Sequence, residues 1–519
     1  MITNLFIFFL CLEVEMMNQS DVTNDKKPKE VTMTKNFIFN LCIQIVMYII
    51  PLITSPYLSR VLTPEGIGNN SFVNSISSYF TLVIGFGFLT YGTKAIAECK
   101  KDKQTYSKVF WNIVICRWVL FILCFSLYFC LAYFWGFGGE VDKSLFLVYS
   151  LVLFSASIDI TYLYQGLENF RTISIIHIVC NSISAILYFA LVKTKSDLLI
   201  YALIYTCQTV AVALISWLFA AKYLSRLDFH DIHILKTLKS GLFYFLPTIA
   251  ISVYTVLDRT MLGYLSSKEE VGFYEQAYKI ISLVTALMNA ISPVMLSRIS
   301  SLVKAGNEPE VRKKTIQMGE VYFLLGCPCL FGLYGIANHF VPAFFGDEYL
   351  PAIGVLYFLI PLIIIIPISN QIGSIYYVPR NKINITTYFF IAGALLNFVT
   401  NFIFIRFWGA KGAAITSLIA ETLISSLFII FSFKKVPYFD MVKKGIKPLI
   451  ASLVMFGVIV LLDLLVLDRY ALSDVVDSII ILCVGIITYG IMLLVLRENL
   501  VINMLYKIFH IKRRRKNEK

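Results

Sequence analysis

Fourteen stretches of predominantly apolar residues, each long enough to cross a bilayer, follow one another between residues 36 and 496 with only short polar loops between them. They read as 36–58, 68–92, 109–134, 144–166, 172–192, 198–221, 241–265, 271–297, 316–342, 351–377, 383–405, 412–433, 448–467 and 475–496. Residues 355–369 (VLYFLIPLIIIIPIS) are apolar on every side. A helix among lipid and other helices requires that, whereas a membrane β-strand would alternate. Only 15% of the chain is charged, against roughly 25% in soluble domains, which excludes a soluble enzyme, a disulfide scaffold or a disordered chain. The fold class is all-α and polytopic.

Charge fixes direction. Of the 45 Lys and Arg residues, 34 fall on the N-terminal side and in every second loop, 8 in the opposite loops, and Arg117, Arg259 and Lys279 within spans. That asymmetry puts both termini in the cytoplasm. The bases form no single stripe, so nucleic acid is not a partner. The basic tail 497–519 reads as lying along the anionic inner leaflet. Residues 1–32 form a polar extension with a short apolar stretch, and translation is expected to start at Met17 or Met33. No metal site is expected: Cys327-Pro-Cys329 lacks zinc spacing, and His230-Asp-Ile-His233 reads as a solvated loop.

The second half of the chain echoes the first. Glu65-Gly-Ile-Gly68 matches Glu269-Glu-Val-Gly272, and an offset of 213 residues carries Tyr164 onto Tyr377 and Gln208-Thr209 onto Glu421-Thr422. The organisation expected is a lobe of six spans at 33–221, a second at 241–433, and two further spans at 448–496, a layout common among transporters.

Several segments then point to a family. Pro51-Leu-Ile-Thr-Ser-Pro-Tyr57-Leu-Ser-Arg60, Pro64-Glu-Gly-Ile-Gly68, Tyr164-Gln-Gly-Leu-Glu168, Asp258-Arg-Thr-Met-Leu-Gly263, Val271-Gly-Phe-Tyr-Glu-Gln276 and Phe344-Phe-Gly-Asp-Glu-Tyr349 resemble the bacterial polysaccharide flippases, Wzx-type and RfbX-like, of the MATE-like MOP superfamily. The resemblance covers about residues 33–500. It implies a non-enzymatic transporter of the bacterial cytoplasmic (inner) membrane. Its substrate would be an undecaprenyl-diphosphate-linked oligosaccharide, carried from the inner to the outer leaflet by alternating access for O-antigen, capsule or exopolysaccharide assembly. Membrane lipids, a polymerase and the chain-length machinery would be its partners, with no cofactor beyond coupling to a Na⁺ or H⁺ gradient.

Ionisable groups inside spans are costly and mark cavities or pairs. Arg117 and Asp159 lie at similar depth in the first lobe and are expected either to meet the diphosphate or to pair with each other. In the second lobe Arg259 is the stronger substrate candidate. Lys279 is a second candidate, although its spacing from Glu275 suits an internal i,i+4 pair. Asp258, Asn397, Asn401 and Thr416 or Ser417 fall at one depth on three spans. A carboxylate among neutral oxygens there would suit Na⁺ or H⁺; the alternative is Asp258 neutralising Arg259 while the asparagines bond between helices. Pro51, Pro247, Pro361 and Pro367 are expected to bend their helices. A lipid II flippase or a MATE-like drug exporter on the same architecture is the alternative function.

Overall fold

The computed structural model describes residues 27–134, 141, 143–226, 231–289, 292–467 and 473–503, with side chains from residue 49 onward except 246–247, 250–251, 253–255 and 293–294. Residues 1–26, His230 and the tail from 504 lie outside the described residues, as does the side chain of Pro247. The α-helices are α1 Lys27–Gly85, α2 Phe88–Glu98, α3 Lys103–Tyr133, α4 Lys143–Ile158, α5 Thr161–Gly166, α6 Phe170–Leu191, α7 Leu198–Ala220, α8 Ile234–Leu265, α9 Lys268–Asn289, α10 Ser292–Lys304, α11 Glu308–Phe345, α12 Pro351–Leu359, α13 Leu362–Ile372, α14 Ile383–Ser432, α15 Tyr438–Leu462 and α16 Asp474–Val495. No strand occurs among the described residues.

Among the described residues, ten helical segments are long and apolar enough to cross a membrane. Two of them, Ile49–Glu98 and Ile383–Ser432, each hold two of the expected spans. The more charged α8 and α9 supply the seventh and eighth, so the plan of about fourteen is preserved. The first-to-second and eleventh-to-twelfth connections differ from expectation: helix runs through them, broken at single residues. Thr63 breaks α1 at φ 62°, ψ 170°, directly before Pro64, whose ring disfavours α geometry in the preceding residue. Gly409 breaks α14 at φ 52°, ψ −129°. A Cβ there would stand 2.6 Å from a Glu270 carboxylate oxygen, and the same oxygen accepts the Ala410 N–H at 2.6 Å. The acid thus caps the restarting helix, where the dipole favours a negative charge. Span ten breaks at Ile360–Pro361, and span four, read as continuous, breaks at Asp159–Ile160.

The repeated segments make repeated structure. Tyr164 donates to Ser216 O at 2.5 Å, and Tyr377 to Phe428 O at 3.3 Å. After each tyrosine the helix ends in the same turn. Glu168 and Asn381 take φ of 58° and 56°, with bonds Asn169 N–H to Tyr164 O (2.8 Å) and Lys382 N–H to Tyr377 O (2.9 Å). Apolar clusters form separately in the two halves, one around Phe72, Tyr149 and Leu153, another around Phe110 and Tyr162, and a large one around Leu262, Ile281, Leu356 and Ala413.

The halves meet at several places, among them the point where α1 restarts and α9 begins, and Gly87, whose Cβ would lie 2.6 Å from Phe245 N. A Cβ on Gly68 would lie 1.6 Å from Lys268 O, and one on Gly272 2.1 Å from Pro64 O, so the two backbones touch with no room for a side chain. In the orientation expected from the basic loops, to which inner and outer refer, this contact would lie on the outer side. Nearby, Arg60 donates to Ala343 O at 2.5 Å, and Lys195 pairs with Glu348 at 3.5 Å. The last two spans lean on α11: His339 Nε2 faces Asp463 Oδ1 at 2.7 Å at one end, and Arg312 meets Asp440 at 2.6 Å at the other.

Candidate functional site

Asp258 sits two turns from the outer end of α8 with 4% of its surface exposed. The break at Gly409 folds α14 into a hairpin whose two arms both reach it. Asn397 and Asn401, one turn apart on the first arm, donate to Oδ1 at 3.1 and 2.7 Å. Ser417 on the second arm and Tyr274 of α9 donate to Oδ2, the tyrosine at 2.6 Å. Thr416 donates to Asn401 Oδ1, and Asn401 Nδ2 reaches Asn397 Oδ1 at 3.1 Å. Asn397, Asn401 and Thr416 are fully enclosed. The structure therefore brings together all four residues singled out from sequence, Asp258, Asn397, Asn401 and Thr416, with Ser417. It adds Tyr274, which lies in the family-like segment Val271-Gly-Phe-Tyr-Glu-Gln276.

Chemically this is a buried carboxylate held by four neutral donors. Because each Asn and hydroxyl carries an oxygen as well as a proton, turning those groups would convert the nest into an oxygen cage for a hard monovalent cation. Protonating Asp258 would equally remove its charge. Among the described residues no group of three or more His, Cys, Asp or Glu could hold a metal ion.

Next to Asp258 on α8, Arg259 pairs through Nε with Glu275 Oε2 of α9, and its guanidinium lies 5.2 Å from the centre of the Tyr278 ring. This corrects the i,i+4 expectation. Glu275 has its ion pair with Arg259, and Lys279 Nζ instead donates to Ser55 Oγ of α1 at 3.1 Å. Helix-to-helix packing decided the partner, because α8 presents a guanidinium to the same face of α9. Arg259 and Lys279 are both half-buried. Lys279 is about 16 Å along α9 from its outer end, close to mid-bilayer. Glu275 also accepts from Ser71 of α1 at 2.8 Å, and Ser55 donates to Gln276 Oε1 at 3.1 Å. Ser55, Ser71 and Gln276 were not singled out from sequence. Ser55 and Gln276 lie in family-like segments, but a serine in an apolar span ordinarily reads as close packing.

Arg117 and Asp159 stand apart from these groups. They pair at 3.1 Å, and the guanidinium is 2% exposed. Its Nη1 also donates to the carbonyls of Ala156 (3.3 Å) and Asp159, which the helix break leaves free, and it lies 5.3 Å from the Tyr162 ring centre. Thr161 N–H donates to Asp159 Oδ1 at 3.0 Å as α5 starts. The pair thus satisfies both sides of the break, with the carboxylate's 38% exposed surface still open.

Residues 33–303, more than half of the chain, match the family model described as polysaccharide biosynthesis protein. The chain belongs to the polysaccharide biosynthesis protein family. A relative from Escherichia coli K12, described as "Putative O-antigen transporter", is 27% identical over 406 residues, which cover 78% of this chain and 97% of that protein. Among solved structures, the lipid II flippase MurJ in an inward closed conformation superposes with a TM-score of 0.74 at 16% identity, covering 89% of this chain and all of that one. An inward-facing multidrug resistance MATE family transporter of the MOP superfamily gives 0.60 at 14% identity, covering 77% and 98%. This member of the polysaccharide biosynthesis family is accordingly a multi-pass membrane transporter with the MurJ- and MATE-like fold.

Proposed function

We propose that the protein is a flippase for undecaprenyl-diphosphate-linked oligosaccharide repeat units, working by alternating access in the bacterial cytoplasmic membrane with both termini inside. The observation that carries this reading is the pair of half-buried cations, Arg259 and Lys279, near mid-bilayer beneath an outer end closed by backbone contact. A diphosphate must shed water to cross a bilayer. A guanidinium and an ammonium at that depth replace its hydration, while the glycan rides in the cleft and the lipid tail stays in the membrane. The family, and a relative named as an O-antigen transporter that this chain matches over nearly its whole length, favour a polysaccharide unit as cargo.

In this reading the Asp258 nest couples transport to an ion gradient. Taking up Na⁺ or H⁺ changes how tightly α8, α9 and α14 are tied together, and those helices also carry Arg259, Glu275 and Lys279. A polymerase and chain-length machinery would receive the cargo on the far side. The test is depletion of the protein followed by extraction of undecaprenyl-linked oligosaccharides, with an impermeant sugar-modifying reagent to report their leaflet. Complete repeat units retained on the inner face, identified by mass, support the proposal. Retained lipid II would move the assignment to peptidoglycan precursors, and unchanged pools would remove it.

A further inference from the structure

Lys279 has two claims on it. Its side chain is half-buried near mid-bilayer, where the proposed function would have it meet an anionic head group, yet it also crosses between the halves of the molecule to Ser55 Oγ at 3.1 Å. Ser55 is 3% exposed and in turn donates to Gln276 Oε1 at 3.1 Å. One turn outward on α9, Ser71 of α1 donates to the same Glu275 oxygen that Arg259 engages. Each of the two cations is therefore tied to a group that joins α1 to α9. These three hydrogen bonds between side chains of α1 and α9 lie between the outer end and the middle of α9, beneath the Gly68–Gly272 contact.

We infer that Lys279 is a latch released by the ligand: the ammonium that holds the outer seal through Ser55 is the one an anionic head group withdraws. The inference rests on the substrate reading above and deepens it. An ammonium and a phosphate oxygen bring together opposite charges, whereas the serine hydroxyl offers the ammonium only a dipole, so a phosphate reaching Lys279 outcompetes the hydroxyl. The same anion, drawn to Arg259, sets its charge beside Glu275 and weakens that acceptor's hold on Ser71. Both effects favour the open outer side by differential interaction, the only way a ligand can shift such an equilibrium. A flexible lysine suits a group that must swing between partners.

The test uses the full-length protein in right-side-out vesicles. A Ser59→Cys reporter, buried beside Ser55, is labelled by an impermeant maleimide with and without undecaprenyl diphosphate in the membrane, against the same protein without the reporter. Ser55→Ala removes both interlobe hydrogen bonds of Ser55, one of them from an ammonium, so it should raise basal labelling by on the order of a hundredfold and shrink the rise on adding the lipid, the latch being already released. Lys279→Gln removes only one of those bonds, so it should raise basal labelling less and lose the rise altogether. A parent that responds to the lipid while Ser55→Ala matches its basal rate overturns the latch. A Lys279→Gln protein that responds like the parent overturns the shared role. A parent indifferent to the lipid, with both variants raised, overturns the substrate reading and with it the ligand-released half of the inference.

Discussion

Replacing Gly272 with Ala should force the outer seal apart. The new Cβ would be 2.1 Å from Pro64 O, and ordinary contact begins near 3.4 Å, so α1 and α9 must separate by about 1.3 Å at that point. Neither atom is the tip of a flexible side chain; the carbonyl belongs to the helix start beside the Thr63 break. A shift of that size stretches Ser71–Glu275 from 2.8 Å and Ser55–Gln276 from 3.1 Å beyond hydrogen-bonding range. A bond to a charged group contributes about 1.5–3 kcal/mol and a neutral one about 1 kcal/mol, so the closed seal loses roughly 2–4 kcal/mol. That moves the closed-to-open ratio by on the order of a hundredfold. Gly85→Ala, with nothing within 4 Å of its added Cβ, is the matched control. Impermeant labelling of a cysteine in the seal should rise steeply in Gly272→Ala and stay at the parent rate in Gly85→Ala. Equal labelling in both would refute the claim that this backbone contact closes the outer side.

Asp258→Asn should abolish whichever stabilisation the parent gains from Na⁺ or from protonation. That stabilisation is about 2.7 kcal/mol at a hundredfold excess of ion over Kd, read as a thermal shift against choline or across pH; a variant with the parent's ion response would remove the coupling site. Gly409→Ala should destabilise the protein by roughly 2–4 kcal/mol, since the residue is held at φ 52° with the Glu270 carboxylate where a Cβ would stand. Thermal unfolding that matches Gly85→Ala would contradict this. Arg117→Met should lower stability by about 2–4 kcal/mol by leaving the carbonyls of Ala156 and Asp159 unpaired at the break, and Arg117→Lys should not fully restore it, because an ammonium lacks the planar guanidinium's contact with the Tyr162 ring. Full stability of either variant would show that the break in span four does not depend on this pair.

The membrane plan was legible because it rests on composition. Apolar length and the bias of basic residues are summed over many positions, so single-residue surprises such as the breaks at Thr63 and Gly409 shift boundaries without changing the count. The Asp258 nest was legible for a related reason: polar side chains inside spans are few, and those at one depth on different helices have little else to bond. Partner choice was not legible. Spacing gave Glu275 to Lys279, but the crossing of α8 over α9 gave it to Arg259 and freed Lys279 for Ser55. Tyr274 was hidden among thirty tyrosines that read as packing and interface belt. Ser55 and Ser71 look like the small residues any close helix contact needs, and only the pairing of α1 with α9 shows what they hold.

The central claim is that this transporter carries a lipid-linked sugar unit across the bilayer, and one measurement tests it most directly. Purified protein in liposomes is given the repeat unit accumulated by the depleted strain, and its appearance in the outer leaflet is followed by an impermeant sugar-modifying enzyme. The account predicts exposure of the lipid-linked glycan that depends on the protein and is strongly reduced when Arg259 and Lys279 are both replaced by Gln. Exposure at the protein-free rate, or full activity of the doubly substituted protein, would contradict it.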